Sequence, residues 1–172
     1  MLLSRLKMVR LVAFDVDGVM TDGGIYYSDS GEEFKRFNSL DGQGIKMLMA
    51  SGVEVAIITG RTSRCVDVRA QNLGIKHVYQ GMENKLKAMV ELVDKLKLTR
   101  DTAAYMGDDV PDLTVMRHVG LGFSVPDSPQ LVREHSGYVT QRSGGHGAVR
   151  EVCDLIMSAQ GTLDAQLAPY LR

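Results

Sequence analysis

The feature that most constrains this chain is a repeated pairing, in which a short, almost wholly apolar run passes directly into polar residues. LVAF (11–14) runs into Asp15, VEVAII (53–58) into Thr59-Gly60-Arg61, and AAYM (103–106) into Gly107-Asp108-Asp109. Near-continuous apolar runs of this length fit strands buried on both faces. Stretches of helical spacing lie between and after them, at 45–49, 63–73, 85–96 and 112–118, with a further short strand at 76–79. This alternation predicts an α/β fold: a Rossmann-like parallel sheet with helices on both faces. Ligands collect at the carboxyl ends of the strands in such sheets. Three strands would therefore deliver acids, a hydroxyl and a guanidinium to one rim.

One segment departs from the alternation. Gly23 to Tyr27, a turn at Asp29 to Gly31, and Glu32 to Phe37 read as a β-hairpin flap at about 23–37, springing from the rim that carries Asp15. Its apolar side chains, Ile25, Tyr27, Phe34 and Phe37, are too many for an isolated ribbon to leave in water, which predicts an oligomer. Near the other end, Ser143-Gly-Gly-His-Gly147 precedes a helix from about 148 to 159, and the weakly patterned tail of about 160–172 reads as flexible. A chain of 172 residues suits one domain spanning 1–172, with this hairpin and tail but no large cap domain.

Twenty Lys and Arg against 21 Asp and Glu give a formal charge of -1, which offers no basic field for nucleic acid. The two cysteines show no CxxC spacing and the four histidines no zinc-ligand interval, as suits a protein of the reducing cytoplasm. The basic N-terminal segment has no continuous apolar core of an export signal, and no run approaches the roughly 18 apolar residues of a membrane span.

The acids carry the chemistry. Asp15 and Asp17 lie two apart, so a strand persisting past Phe14 would turn both carboxylates to one side. Asp108, Asp109 and Asp112 follow the third strand. Two carboxylates about 4 Å apart repel by roughly 4 kcal/mol at an effective dielectric of 20, so a cation must offset them. Oxygen ligands without histidine or cysteine suit Mg²⁺. Taken singly, each residue has a plain structural reading. Thr59 would cap the helix starting near Ser63, Lys85 would solvate a helix face, and Asp109 would cap a turn begun by Pro111. Taken together they supply what phosphoryl transfer needs: Asp15 as nucleophile, a cation, Thr59 and Lys85 as donors to the phosphate, and Asp17 as acid.

Asp15-Val-Asp17-Gly-Val, Ile-Ile-Thr59-Gly-Arg61, Asn84-Lys85-Leu and Gly107-Asp108-Asp109-Val-Pro-Asp112 resemble the four ordered motifs of the haloacid dehalogenase superfamily. The resemblance implies that Asp15 attacks phosphorus, while Asp17 protonates the departing alkoxide and then activates water. It implies that Asp15, Asp108 and the Asp17 main-chain carbonyl hold Mg²⁺, that Asp112 orients metal waters or Lys85, and that Asp17, Thr59, Gly60, Arg61 and Lys85 line the substrate site. An acid at position 17 favours a phosphatase over a dehalogenase.

The hairpin, Asn38-Ser-Leu-Asp-Gly-Gln-Gly44-Ile and Ser143-Gly-Gly-His-Gly-Ala-Val-Arg150-Glu-Val-Cys further resemble the capless branch that acts on phosphorylated keto-deoxy sugar acids. That resemblance implies a small sugar acid phosphate as substrate and a cytoplasmic step in making a lipopolysaccharide sugar. It also implies a homotetramer in which a neighbour, including its glycine-rich tail, covers the site. Arg61 would meet the substrate carboxylate, with Arg64 and Lys35 as weaker candidates that otherwise read as solvated charges. Arg61 tilts the reading toward an eight-carbon acid phosphorylated at carbon eight. A nine-carbon acid 9-phosphate, or a non-catalytic tetramerising module, are the alternatives. Cys65 reads as a small buried residue of a helix, and His146 as either a linker residue or a substrate contact across an interface.

Overall fold

The computed structural model describes residues 1–172. A six-stranded, all-parallel sheet is built from β1 (Leu11–Phe14), β4 (Glu54–Ile58), β5 (His77–Tyr79), β6 (Ala103–Met106), β7 (Leu121–Ser124) and β8 (Tyr138–Val139) in the order β5-β4-β1-β6-β7-β8. The chain moves outward from β1 to β4 and β5, then returns to lay β6, β7 and β8 on the other side. The strand order therefore reverses between β1 and β6, which is where an open α/β sheet forms its crevice. The strands leading into Thr59, Asp15 and Asp108 are the adjacent central ones, in register from Leu11 opposite Glu54 and Ala103.

All four residues of β1 and of β6 are buried, so their side chains divide between two apolar layers. Val12, Phe14, Ile57 and Met106 face a core shared with α1 (Leu2–Met8), α2 (Ser39–Ala50), α3 (Arg64–Leu73) and α7 (Ala148–Gln160). Leu11, Ala13, Ala56, Ile58 and Tyr105 face α4 (Lys85–Lys95) and α5 (Leu113–Met116). Local chemistry sets the helix starts: Asn38 accepts from the N–H groups of Leu40 and Asp41, Ser63 from Cys65, and Asn84 from Lys87. The cap of α7 comes from elsewhere. Gly147 has no side chain to offer, and the Asp41 carboxylate accepts from the Arg150 N–H at 2.9 Å. A buried acid of α2 thereby fixes the first turn of α7.

Three regions of the chain go beyond the sequence expectation. β7, β8 and the short α6 (Gln130–Glu134) carry no strong pattern, because Gly120 and Gly122 interrupt the apolar run and β8 is only two residues long. The N-terminal segment is helix α1, which packs beside α7. The tail is folded: α8 (Leu163–Leu167) sets Leu163 and Leu167 against the core, and the Tyr170 hydroxyl accepts from the Gln43 amide at 3.2 Å. Two leucines are too few to make a pattern, yet enough to dock one helical turn.

The hairpin is short. β2 (Tyr26–Tyr27) and β3 (Glu33–Phe34) pair antiparallel over two residues each, leaving Ile25, Tyr26, Tyr27 and Phe34 exposed. No segment forms a large cap, and no helix is long and apolar enough to cross a membrane. Removing the shared cap should loosen α7. Asp41→Ala is expected to lower stability by about 2 kcal/mol, and Tm by about 6 °C, on loss of a buried bond to a helix N-terminus. Urea and thermal unfolding followed by circular dichroism check this.

Candidate active site

The site lies where the reversal of strand order opens the sheet. The Asp15 N–H still donates to the Met106 carbonyl at 3.0 Å, and that of Thr59 to Tyr79 at 2.9 Å, so both residues hang from the rigid ladder. The Asp15 carboxylate accepts from the Val16 N–H at 2.7 Å through Oδ1 and from the Lys85 ammonium at 2.7 Å through Oδ2. Lys85, the first residue of α4, is only 7% exposed and does not solvate a helix face. Its second partner is Asp112 Oδ1 at 2.6 Å. Thr59 is buried and caps no helix, since Ser63 does that for α3.

Asp112 is held from all sides. Oδ1 also accepts from the Tyr105 hydroxyl at 2.8 Å, and Oδ2 accepts from the N–H groups of Asp108 at 3.0 Å and Asp109 at 3.1 Å. Asp109 itself caps the turn through Pro111, accepting from Val110 at 2.7 Å. Two glycines leave the necessary space: a Cβ on Gly18 would overlap the Asp108 carboxylate, and one on Gly107 would overlap that of Asp112. Gly18 also has φ +86°, which disfavours any other residue.

Asp15, Asp108 and Asp112 bring one oxygen each within 4.8 Å of one another. With all three ionised against the single Lys85 ammonium, two negative charges remain uncompensated. Burial, then Asp112, pushes the Asp15 carboxyl up to about 6 against the pull of Lys85. Burial, then Asp15 and Asp112, pushes Asp108 up to about 8. Burial opposes the charge of Lys85, but Asp15 and Asp112 hold it above the usual lysine range. A divalent cation matches the excess, and the oxygen-only donors match Mg²⁺. The four bonds to Asp112 occupy its lone pairs, so Asp15 and Asp108 are the acids free to take metal.

The Asp17 carboxylate is not among the converging three. It accepts from the Lys35 ammonium at 2.6 Å and lies 3.7 Å from Arg61 Nε. Lys35 is no solvated charge: its side chain is 2% exposed, lying between Asp17 and Glu33. Arg61 donates to the Tyr27 hydroxyl at 2.9 Å and to Glu33 at 3.0 Å, tying the hairpin to the rim. The sequence offers Lys35 as a weaker candidate for the substrate carboxylate and Glu33 only as a strand residue, with nothing to show that Lys35 pairs with both Glu33 and Asp17. Arg64 is exposed, His146 is exposed, and Cys65 is half-buried with its thiol 3.5 Å from the Glu33 carbonyl. Asp15, Asp17, Thr59, Gly60, Arg61, Lys85 and Asp108 line one cavity of about 310 Å³, with Gly23, Asp109, Pro111 and Asp112 completing it.

A parallel sheet with an acid pair after its central strand, a buried lysine and a second acid cluster across the crevice defines a hydrolase of the haloacid dehalogenase type. Residues 77–152 match the family of haloacid dehalogenase-like hydrolases. The chain is 49% identical to the 3-deoxy-D-manno-octulosonate 8-phosphate phosphatase of Escherichia coli K12 over 94% of its own length and 86% of that protein. The Moraxella catarrhalis phosphatase of the same name, solved with magnesium, phosphate and Kdo, superposes with a TM-score of 0.96 at 47% identity, covering 98% of this chain and 97% of that one. The cobalt-bound Haemophilus influenzae enzyme gives a TM-score of 0.93 at 38% identity over 98% and 99%. The chain belongs to the family of 3-deoxy-D-manno-octulosonate 8-phosphate phosphatases.

The excess charge predicts how metal and pH act together. A buried acid whose folded pKa is raised favours folding most below its unfolded value near 4, and loses that contribution as pH rises through the folded value of about 8. In chelator, Asp108→Asn should therefore gain Tm relative to wild type between pH 5 and 8.5. Mg²⁺ at about 100 times its Kd should stabilise wild type by about 2.7 kcal/mol and the variant far less. Thermal melts at both pH values, with and without Mg²⁺, check this.

Proposed function

We propose that the chain hydrolyses 3-deoxy-D-manno-octulosonate 8-phosphate to the free sugar acid and phosphate through an aspartyl-phosphate on Asp15. One observation carries the reading: Asp15 is held by Lys85 in a polar cavity while Asp17, two residues on, is held apart by Lys35. A nucleophile and a separate leaving-group acid are what a phosphate ester requires.

Asp15 attacks phosphorus as the ester P–O bond breaks, and Asp17 passes a proton to the departing sugar oxygen. Asp17 then takes a proton from the water that attacks the aspartyl-phosphate, which restores the Asp15 carboxylate and frees phosphate. Lys85 and the Thr59 hydroxyl hold the phosphoryl oxygens, with Gly60 letting the chain pass close to them. Asp15, Asp108 and the Asp17 carbonyl would hold Mg²⁺, which when bound neutralises the phosphoryl oxygens. Asp112 keeps Lys85 in place. Arg61, at the mouth, takes the substrate carboxylate.

The same proposal extends to assembly and place. Residues 1–172 act as one domain that forms a homotetramer through the hairpins, whose exposed Ile25, Tyr26, Tyr27 and Phe34 favour burial against copies of themselves. The neighbouring subunit would then serve as the lid. Both cysteines are free, in keeping with a reducing cytoplasm. Lipopolysaccharide biosynthesis is the pathway that the substrate implies.

Asp15→Asn should keep the fold and lower kcat by roughly 10³-fold or more. Phosphate release from eight-carbon and nine-carbon keto-deoxy sugar acid phosphates and from plain sugar phosphates should rank the eight-carbon ester first. Preference for a nine-carbon acid or for a sugar without a carboxylate would refute the assignment. For assembly, sedimentation should give the mass of four chains for wild type and a smaller species for Phe34→Glu.

A further inference from the structure

Tyr105 has no part in the chemistry described so far, and its position demands a reason. It lies in β6, the strand next to β1, between small and apolar neighbours, and is fully buried. A phenylalanine would fill the same volume without taking a hydroxyl out of water, and an unpartnered buried hydroxyl costs about 1–3 kcal/mol in proteins. The hydroxyl has one proton. Its neighbours are Asp112 Oδ1 at 2.8 Å and the Ile58 carbonyl at 3.3 Å, and the shorter contact is to the charged acceptor. Tyr105 lines no part of the cavity that holds Asp15 and Lys85.

We propose that Tyr105 is a positioning residue for phosphoryl transfer, holding the Asp112 carboxylate in the orientation that aims Lys85 at Asp15. A carboxylate can rotate broadly about its last torsion. In Asp112 that torsion is fixed at both oxygens: the N–H groups of Asp108 and Asp109 fix Oδ2, and Tyr105 and Lys85 share Oδ1. Lys85 cannot fix the carboxylate by itself, because its ammonium ends a flexible four-carbon stem and takes its own direction from Asp112 and Asp15. The phenol is the rigid member. It is anchored by a ring packed in the apolar layer between the sheet and α4 and α5, and it is the one partner of Oδ1 whose place does not depend on the active site. With Tyr105 gone, Oδ1 would keep only Lys85, and the carboxylate, still hinged at Oδ2 on the two N–H groups, could swing Oδ1 and Lys85 together away from Asp15.

The kinetic part of the test rests on the phosphatase reading and the spectroscopic part does not. Tyr105→Phe, measured at saturating Mg²⁺ on the sugar acid phosphate and on p-nitrophenyl phosphate, should lower kcat about 10-fold, the scale of one hydrogen bond to a charged group, and change KM less than about 2-fold. In an Asp112→Asn background the same substitution should cost less than about 2-fold, because its route of action is already cut. In ¹⁵N-lysine spectra, the protected Lys85 ammonium signal of wild type should broaden or vanish in Tyr105→Phe. An unchanged kcat, an equal 10-fold loss in both backgrounds, or a Tm loss without a kcat loss would overturn the proposal. Should wild type hydrolyse neither ester, the phosphatase reading fails alone, and an unaltered Lys85 signal in Tyr105→Phe would still refute the positioning role.

Discussion

One ammonium shared between two buried carboxylates organises this molecule. Lys85 lies 2.7 Å from Asp15 and 2.6 Å from Asp112, all three nearly out of water. Removing such groups from solvent costs several kcal/mol per ion, and the mutual attraction offsets it only when every remaining lone pair is met. Here most are: Asp112 takes four donors and Asp15 two, leaving Asp15 and Asp108 with unmet negative charge facing the cavity. That residue of charge is the binding energy for a divalent cation and, with it, for a phosphate. A site that satisfied all its acids internally would have no use for either.

The fold serves this arrangement by making its anchors stiff. Asp15 and Thr59 hang from the sheet ladder, Lys85 from a helix start capped by Asn84, and Asp112 from a turn capped by Asp109. Each charged group thus sits within one residue or one turn of a regular element, on both sides of the point where strand order reverses. The glycines at 18 and 107 are the complement of that crowding, since the carboxylates of Asp108 and Asp112 occupy the space their side chains would need.

How much of this was legible in the sequence depends on how far apart the interacting residues stand. Asp15, Thr59 and Asp108 announce themselves because each directly follows, or nearly follows, an apolar strand, and strand geometry alone carries them to one rim. Lys35 did not, because its meaning lies in Asp17, 18 residues earlier, and in a hairpin bend that buries it. Asp41 was invisible as a cap for α7 because its partner is 109 residues away. Tyr105 read simply as part of a strand, for its partner lies beyond a loop whose turn could be placed only in three dimensions. Local periodicity encodes elements well and long-range polar pairing poorly, so the β7 and β8 edge and the docked tail, which rest on a few contacts, escaped it as well.

The hairpin shows the difference between a fixed pair and an exchangeable one. Its root is fastened by Lys35, whose buried ammonium bridges Asp17 and Glu33, and breaking it would strand a charge out of water. Its tip is fastened by Arg61, whose side chain is 42% exposed and whose bonds to Glu33 and Tyr27 face solvent. Exposed pairs of that kind contribute about 0–1 kcal/mol. Under the proposed function, a substrate carboxylate arriving at Arg61 would therefore exchange with Glu33 at little expense, while Lys35 keeps Asp17 aimed throughout. Glu33, still paired with Lys35 after the exchange, would not be left alone, so the hairpin can yield its grip on Arg61 without coming off the site.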